Sequence, residues 1–246
     1  MTWLVLTLTL RQLLGQKRTL FLAAVGLLPV LAAIIFRAAG DGDESAAEFA
    51  AQVVLNALVI NILLPLTALV LATASLGSEI EDGTIVYLLS KPAERWRIVA
   101  GKLLAAWGAT AVLVLASALV SGVVALAGEG ESRLLIGFLV AIGVGSLAYS
   151  SVFVLLSLVT SRALFVGLAY AFIWEAVITN FAPGVQRFSI REFTASIAEA
   201  VGDTNPWVFD ADLGTTYSII LLAVVTAVGA ALAVRRLSRF ELSEAP

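Results

Sequence analysis

The run LLIGFLVAIGVGSLAYSSVFVLLSLVT, residues 134–160, decides the fold. It contains no charged side chain. About 20 apolar residues in a helix cross the hydrocarbon core of a bilayer. A continuous apolar run of this length exceeds a soluble-sheet strand, and it lacks the ten-residue alternation of an outer-membrane barrel strand. Five further stretches read the same way: roughly 19–36, 51–77, 98–127, 163–181 and 216–234. The sequence therefore predicts an all-α polytopic membrane protein, with six transmembrane helices in a single domain over 1–246. Pro29 and Pro65 fall inside the first two stretches. A membrane bundle tolerates them because neighbouring helices re-satisfy the freed backbone groups.

Composition closes off the other classes. Of 246 residues, 60% are hydrophobic and 13% charged, and the mean hydropathy is +1.00. Soluble domains are about half apolar and about a quarter charged, so this chain has too little polar surface to cover itself in water. It is equally far from a disordered composition. Cysteine and histidine are both absent. That removes disulfides, thiolate nucleophiles, imidazole bases, Ser-His hydrolases and HExxH zinc sites together.

Lys and Arg orient the helices, because short cytoplasmic flanks are enriched in them. With six spans, one side holds Arg11, Lys17, Arg18, Lys91, Arg95, Arg97, Lys102, Arg162, Arg235, Arg236 and Arg239. The other holds only Arg37, Arg133, Arg187 and Arg191. Eleven against four places both termini in the cytoplasm. The stretch Met1–Gly15 is apolar but has no basic n-region, so a cleaved signal peptide is not expected. Residues 1–17 read as an interfacial helix lying on the cytoplasmic leaflet. The alternative is a seventh, short span, which would set the termini on opposite sides.

The second loop is the most structured polar stretch. Glu79, Glu81 and Asp82 come first, then the apolar group around Ile85, Leu88 and Leu89, then Lys91, Arg95 and Arg97. Asp82-Gly83 breaks the helix leaving the second span, and Thr84 can cap a short helix over 85–89. Pro92 suits the first position of the next helix, with Glu94 in its first turn. Ile85, Leu88 and Leu89 share a face at i, i+3 and i+4. That apolar face wants either a protein partner or the lipid surface. No Gly-x-x-x-x-Gly-Lys-Ser/Thr loop occurs, since Gly101-Lys102 is followed by Leu103 inside a span.

Residues 182–215 form a long external loop. Within it Phe188, Phe193, Ile197 and Val201 have helical spacing, with Arg187, Arg191, Glu192 and Glu199 between. This reads as an amphipathic external helix or a re-entrant one, capping the bundle. Glu175 is the one acidic residue inside a span, about 9 Å of helical rise before Phe181. Three roles stay open for it: structural pairing, with Arg187 or Arg191 as partners; lining of a transport pathway; or interfacial solvation. A carboxamide in its place should keep most of the hydrogen bonds. Asn56 and Asn61, five apart in the second span, read as interhelical hydrogen-bonding residues rather than ligand contacts. Small-residue pairs at four-residue spacing (Ser117/Ser121, Ala118/Gly122, Gly229/Ala233) suit close helix packing.

The run EIEDGTIVYLLSKPAERWRIVAGK, residues 79–102, resembles the signature of the ABC-2-type permeases, the membrane-spanning subunits of ATP-binding-cassette (ABC) transporters. The matching residues are Glu79, Glu81-Asp82, Gly83-Thr84, Leu88-Leu89, Pro92, Arg95 and Lys102. TLTLRQLLGQKRTLF (7–21) is similar to the family's N-terminal interfacial helix. WEAVITNFAPGVQRFSIRE (174–192) resembles the fifth span and outer loop of its bacterial and archaeal members. The resemblance implies that residues 79–95 are a coupling segment docked on a separate cytoplasmic ABC ATPase. Glu79, Glu81, Asp82, Gly83, Thr84, Ile85, Leu88, Leu89, Pro92 and Arg95 would make that contact. It implies a second permease subunit, identical or paralogous, with the translocation pathway between the two. It implies ATP and Mg on the ATPase and no cofactor, metal or catalytic residue here. It also implies export across a bacterial or archaeal cytoplasmic membrane. The lipid bilayer is the remaining partner, and no nucleic acid is expected. Two other classes remain for comparison. A proton-coupled secondary transporter would use Glu175. An intramembrane enzyme would need convergent catalytic groups, and a lone carboxylate does not supply them.

Overall fold

The computed structural model describes residues 2–15, 17–39, 45–81, 94–128, 131–178, 185–202, 208–209 and 213–239. Among them every regular element is helical. In chain order we label α1 Thr2–Leu14, α2 Lys17–Ala39, α3 Ala46–Gly77, α4 Arg95–Ala125 and α5 Ser132–Val159. α6 is Ala163–Ala169 and its continuation Tyr170–Ile178, α7 is Ile190–Gly202, and α8 is Thr215–Ser238. Five of these are long and apolar enough to cross a membrane: α2, α3, α4, α5 and α8. Where the sequence leads one to expect a span over 163–181, the structure has a shorter apolar helix.

Burial sorts the five into two groups. The apolar windows of α3, α4 and α5 are 56%, 50% and 56% buried, against 22% for α2 and α8, so the first three form the centre and the other two flank it. The largest fully buried side chains include Tyr149, Phe138 and Phe153, all on α5. The faces turned outward carry Phe21, Ile35, Phe165 and Ile219. Such faces are what a bilayer solvates.

The prolines act where their missing N–H falls. Pro29 cannot bond the carbonyl four residues back, and α2 breaks at Gly26. At that break Ser117 of α4 donates its hydroxyl to the Gly26 carbonyl at 2.5 Å, a bond from a neighbouring helix to the interrupted backbone. Pro65 follows a change of winding. Phe49–Leu63 is a π-helix, in which Leu64 N–H reaches back to the Val59 carbonyl, and Leu64–Glu81 is α-helical. Residues five apart are joined in a π-helix, so Asn56 and Asn61 lie nearly above one another on α3. In an α-helix they would point to different sides.

α1 is a helix of its own that packs on α3 and α4, with Leu13 and Thr9 buried. Thr19 at the start of α2 donates its hydroxyl to the Leu13 carbonyl and closes the end of α1. α4 begins after Glu94, which has extended backbone and stands outside the helix rather than in its first turn. At the other end of α4, the Arg37 side chain of α2 donates to the Ala127 carbonyl. The turn there is closed by Gly128 at φ +94, a left-handed conformation that glycine adopts without steric cost.

Candidate functional site

α5 carries two elements on one side, stacked end to end. Tyr170 of α6 packs edge-on against Phe153, their ring centroids 6.2 Å apart. One turn along α5, buried Tyr149 lies within electrostatic reach of Glu175 on α6. Beyond that α7 takes over. A Cβ on Gly145 would fall 2.5 Å from the Thr194 hydroxyl, and one on Gly137 would fall 2.4 Å from the Ala198 carbonyl. The small residues Gly137, Ala141 and Gly145, at four-residue spacing, form the slot in which α7 lies. Tyr149 is about 15 Å of helical rise from Val159 and about 25 Å from Ser132. The junction of α6 and α7 therefore sits close to mid-depth. Ile190, Phe193, Thr194, Ala195, Ser196, Ile197 and Ala198 of α7 are all buried. The helix is inserted among apolar helices rather than laid over their ends.

Glu175 is at that junction, 2% exposed. Tyr170 donates its hydroxyl to Oε1 at 2.8 Å, and the backbone N–H of Ile190 donates to the same oxygen at 3.1 Å. Ser189 donates its hydroxyl to Oε2 at 2.7 Å, and the Arg191 N–H donates to it at 3.3 Å. Tyr170 and Glu175 are five residues apart, and the π winding of Tyr170–Ile178 brings them to one face. The first N–H groups of a helix have no partner within it. Here Glu175 takes those of Ile190 and Arg191, and the Ser189 hydroxyl accepts that of Glu192 at 3.3 Å. A carboxylate at this end of a helix also meets the positive pole of its dipole. Arg191 turns its guanidinium to Glu192, Nη2 to Oε1 at 2.7 Å. The buried charges of α7 are thus matched locally.

Of the two arginines expected beside Glu175, Arg191 meets it through its backbone N–H, while Arg187 is exposed in the turn Val185–Phe188. Ser189 was not among the expected residues, yet Ser189-x-x-Glu192 has the spacing of a helix-capping box, and that signal was available. Asn61 has a buried Oδ1 with no hydrogen-bond partner among the described residues, and Asn56 is half-buried on the same face.

The expected coupling residues divide. Glu79 and Glu81 lie in the last turn of Leu64–Glu81, the α-helical second half of α3 together with its extension past Gly77. Asp82, Gly83, Thr84, Ile85, Leu88, Leu89 and Pro92 lie outside the described residues. Arg95 opens α4 half-buried, and its Nη1 has no hydrogen-bond partner among the described residues. Beside it, Glu94 pairs with Arg97 at 2.7 Å and accepts the Trp96 indole N–H at 2.9 Å. Tryptophan and arginine in this arrangement mark a helix end at a membrane surface.

The described residues thus form an all-helical, multi-pass bundle of membrane type in which the helix α7 is seated on a buried carboxylate. The chain is a member of the ABC-2 family: the family model for ABC-2 family transporter protein matches residues 3–242, nearly its whole length. No curated protein matches the chain significantly.

Proposed function

We propose that the chain is the permease subunit of an ABC exporter, working as a dimer with itself or a paralogue and driven by a separate cytoplasmic ATPase that binds ATP and Mg. The observation that carries this reading is the family match over residues 3–242. On this reading α6 and α7 together complete a sixth crossing, and both termini lie in the cytoplasm, with the connection between α7 and α8 on the outer side rather than the whole of 182–215. Residues 79–95 connect α3 to α4 on this reading, two of the three central helices, which a short lever could move together. Glu175 has a structural role in this scheme. It fastens α7 to α6 and keeps the outer half of the bundle closed around α5. The proton-coupled alternative gains no support from the geometry, since both carboxylate oxygens are already engaged by fixed donors.

The test is the ATPase contact. Changing Leu88 and Leu89 to Asp should abolish co-purification of an ATPase while membrane insertion is retained. Undiminished co-purification would remove residues 79–95 from the docking role.

A further inference from the structure

A cleft of about 320 Å³ opens between the ends of four helices. Arg18 of α2, Thr73 and Gly77 of α3, Ser157 of α5 and the connection 160–165 into α6 line it. Arg18 is the second residue of an apolar helix, and Arg162 sits in the turn between α5 and α6. Both guanidiniums are therefore at the water end of membrane-length helices, on the side that carries most of the chain's Lys and Arg. Among the described residues no carboxylate lines the cleft, and neither arginine makes an ion pair.

The polar groups around the arginines differ in what they can still offer. Thr73 and Ser157 already donate their hydroxyl protons to the carbonyls of Leu69 and Val154, each at 2.7 Å. Thr160 accepts the Arg162 backbone N–H at 3.2 Å, which leaves its own proton to donate. Ser161 stands exposed next to it. The cleft thus presents two guanidinium forks and two hydroxyl donors, all suited to an oxyanion. A guanidinium matches phosphate oxygens in a bidentate way, and basic pockets between transmembrane helices at a membrane surface take acidic head groups. The α6 side of the cleft is apolar: Ala163, Leu164 and Phe165 line it, and Phe165 is 72% exposed.

We propose that this cleft binds a phosphate group, held between Arg18 and Arg162, as presented by an anionic phospholipid whose acyl chains run along Leu164 and Phe165. The inference is independent of the transport reading, and the binding test below reads neither ATPase nor transport.

The experiment is lipid retention by the full chain purified in detergent, read by native mass spectrometry. Probes are phosphatidylglycerol, phosphatidylcholine and inorganic phosphate, on the wild type, Arg18→Gln, Arg162→Gln, the double variant and the double lysine variant. Retention of phosphatidylglycerol should fall about fivefold for each guanidinium removed, the scale of one basic side chain at an anionic surface. The lysine variant should keep most of it, which guards against misfolding as the cause. Phe165→Ala should weaken lipid retention alone. Displacement of lipid by inorganic phosphate at equal concentration would support the phosphate site and name free phosphate as its source. Equal retention of phosphatidylglycerol by wild type and double glutamine variant, or equal retention of phosphatidylcholine by the wild type, would overturn the proposal.

Discussion

Replacing Glu175 by Gln removes one oxygen acceptor from a site where both oxygens are in use. Oε1 takes the Tyr170 hydroxyl and the Ile190 N–H, and Oε2 takes the Ser189 hydroxyl and the Arg191 N–H. A carboxamide keeps one oxygen. Whichever way it turns, its NH2 faces one hydroxyl and one backbone N–H. The hydroxyl can rotate to accept, but the backbone N–H cannot. A buried donor left unsatisfied costs about 1–3 kcal/mol. Loss of negative charge at the positive end of α7 adds about 0.3–2 kcal/mol. The substitution is therefore more disruptive than Glu175 considered as a lone buried acid would suggest. Thermal unfolding in detergent should show it as a fall of roughly 5–15 °C, at 2–4 °C per kcal/mol for a chain of this size. Glu175→Leu strands both backbone N–H groups and should fall about twice as far. ATP-driven transport by Glu175→Gln, measured well below its transition, should survive, because the carboxylate fastens α7 rather than carrying protons. A melting curve identical to the wild type would refute the hydrogen-bond reasoning. Wild-type stability with all transport lost would move Glu175 into the pathway.

Gly137 and Gly122 separate backbone from side-chain contact. A Cβ at Gly137 meets the backbone of Ala198 and Gly202 at 2.4–2.7 Å, while one at Gly122 meets the flexible end of Leu135. Gly137→Ala should therefore destabilise by about 1–3 kcal/mol through displacement of α7, with Gly122→Ala much closer to neutral; equal melting temperatures would contradict the seat of α7 on α5. Ser189→Ala removes the cap on Glu192 N–H and one donor to Glu175, and should cost about 1–2 kcal/mol by the same measurement; an unchanged transition would deny the cap its part. Topology is open to single cysteines in this cysteine-free chain. An impermeant thiol reagent on intact cells should label position 204 and spare 84 and 242, and labelling at 242 would require an odd number of crossings.

The long apolar helices were legible because nothing but a bilayer calls for more than 20 apolar residues in succession. α6 was the exception: its apolar stretch was plain, yet its length as a helix was not, since the winding changes at Tyr170. The same change hid the partnership of Tyr170 with Glu175, which α-helical periodicity assigns to different faces. α7 was recognised as helical, but whether it lay outside or inside stayed open. Arg191, Glu192 and Glu199 suggest water, and it takes the Arg191–Glu192 pair to show how charged residues can be carried inward. Gly137, Ala141 and Gly145 went unremarked because a chain with 19 glycines offers many such spacings.

The end-to-end placement of α6 and α7 along α5 has an electrical consequence. A continuous apolar helix has its peptide groups bonded along its length and offers a membrane voltage little to act on. On the proposed six-crossing reading, this crossing is made in two pieces that meet at Glu175, partway through the voltage drop. Moving one elementary charge through 100 mV is worth about 2.3 kcal/mol. An ionised carboxylate carried from this joint to either surface would thus exchange about 1 kcal/mol with the field. That is comparable to one of the hydrogen bonds holding the joint.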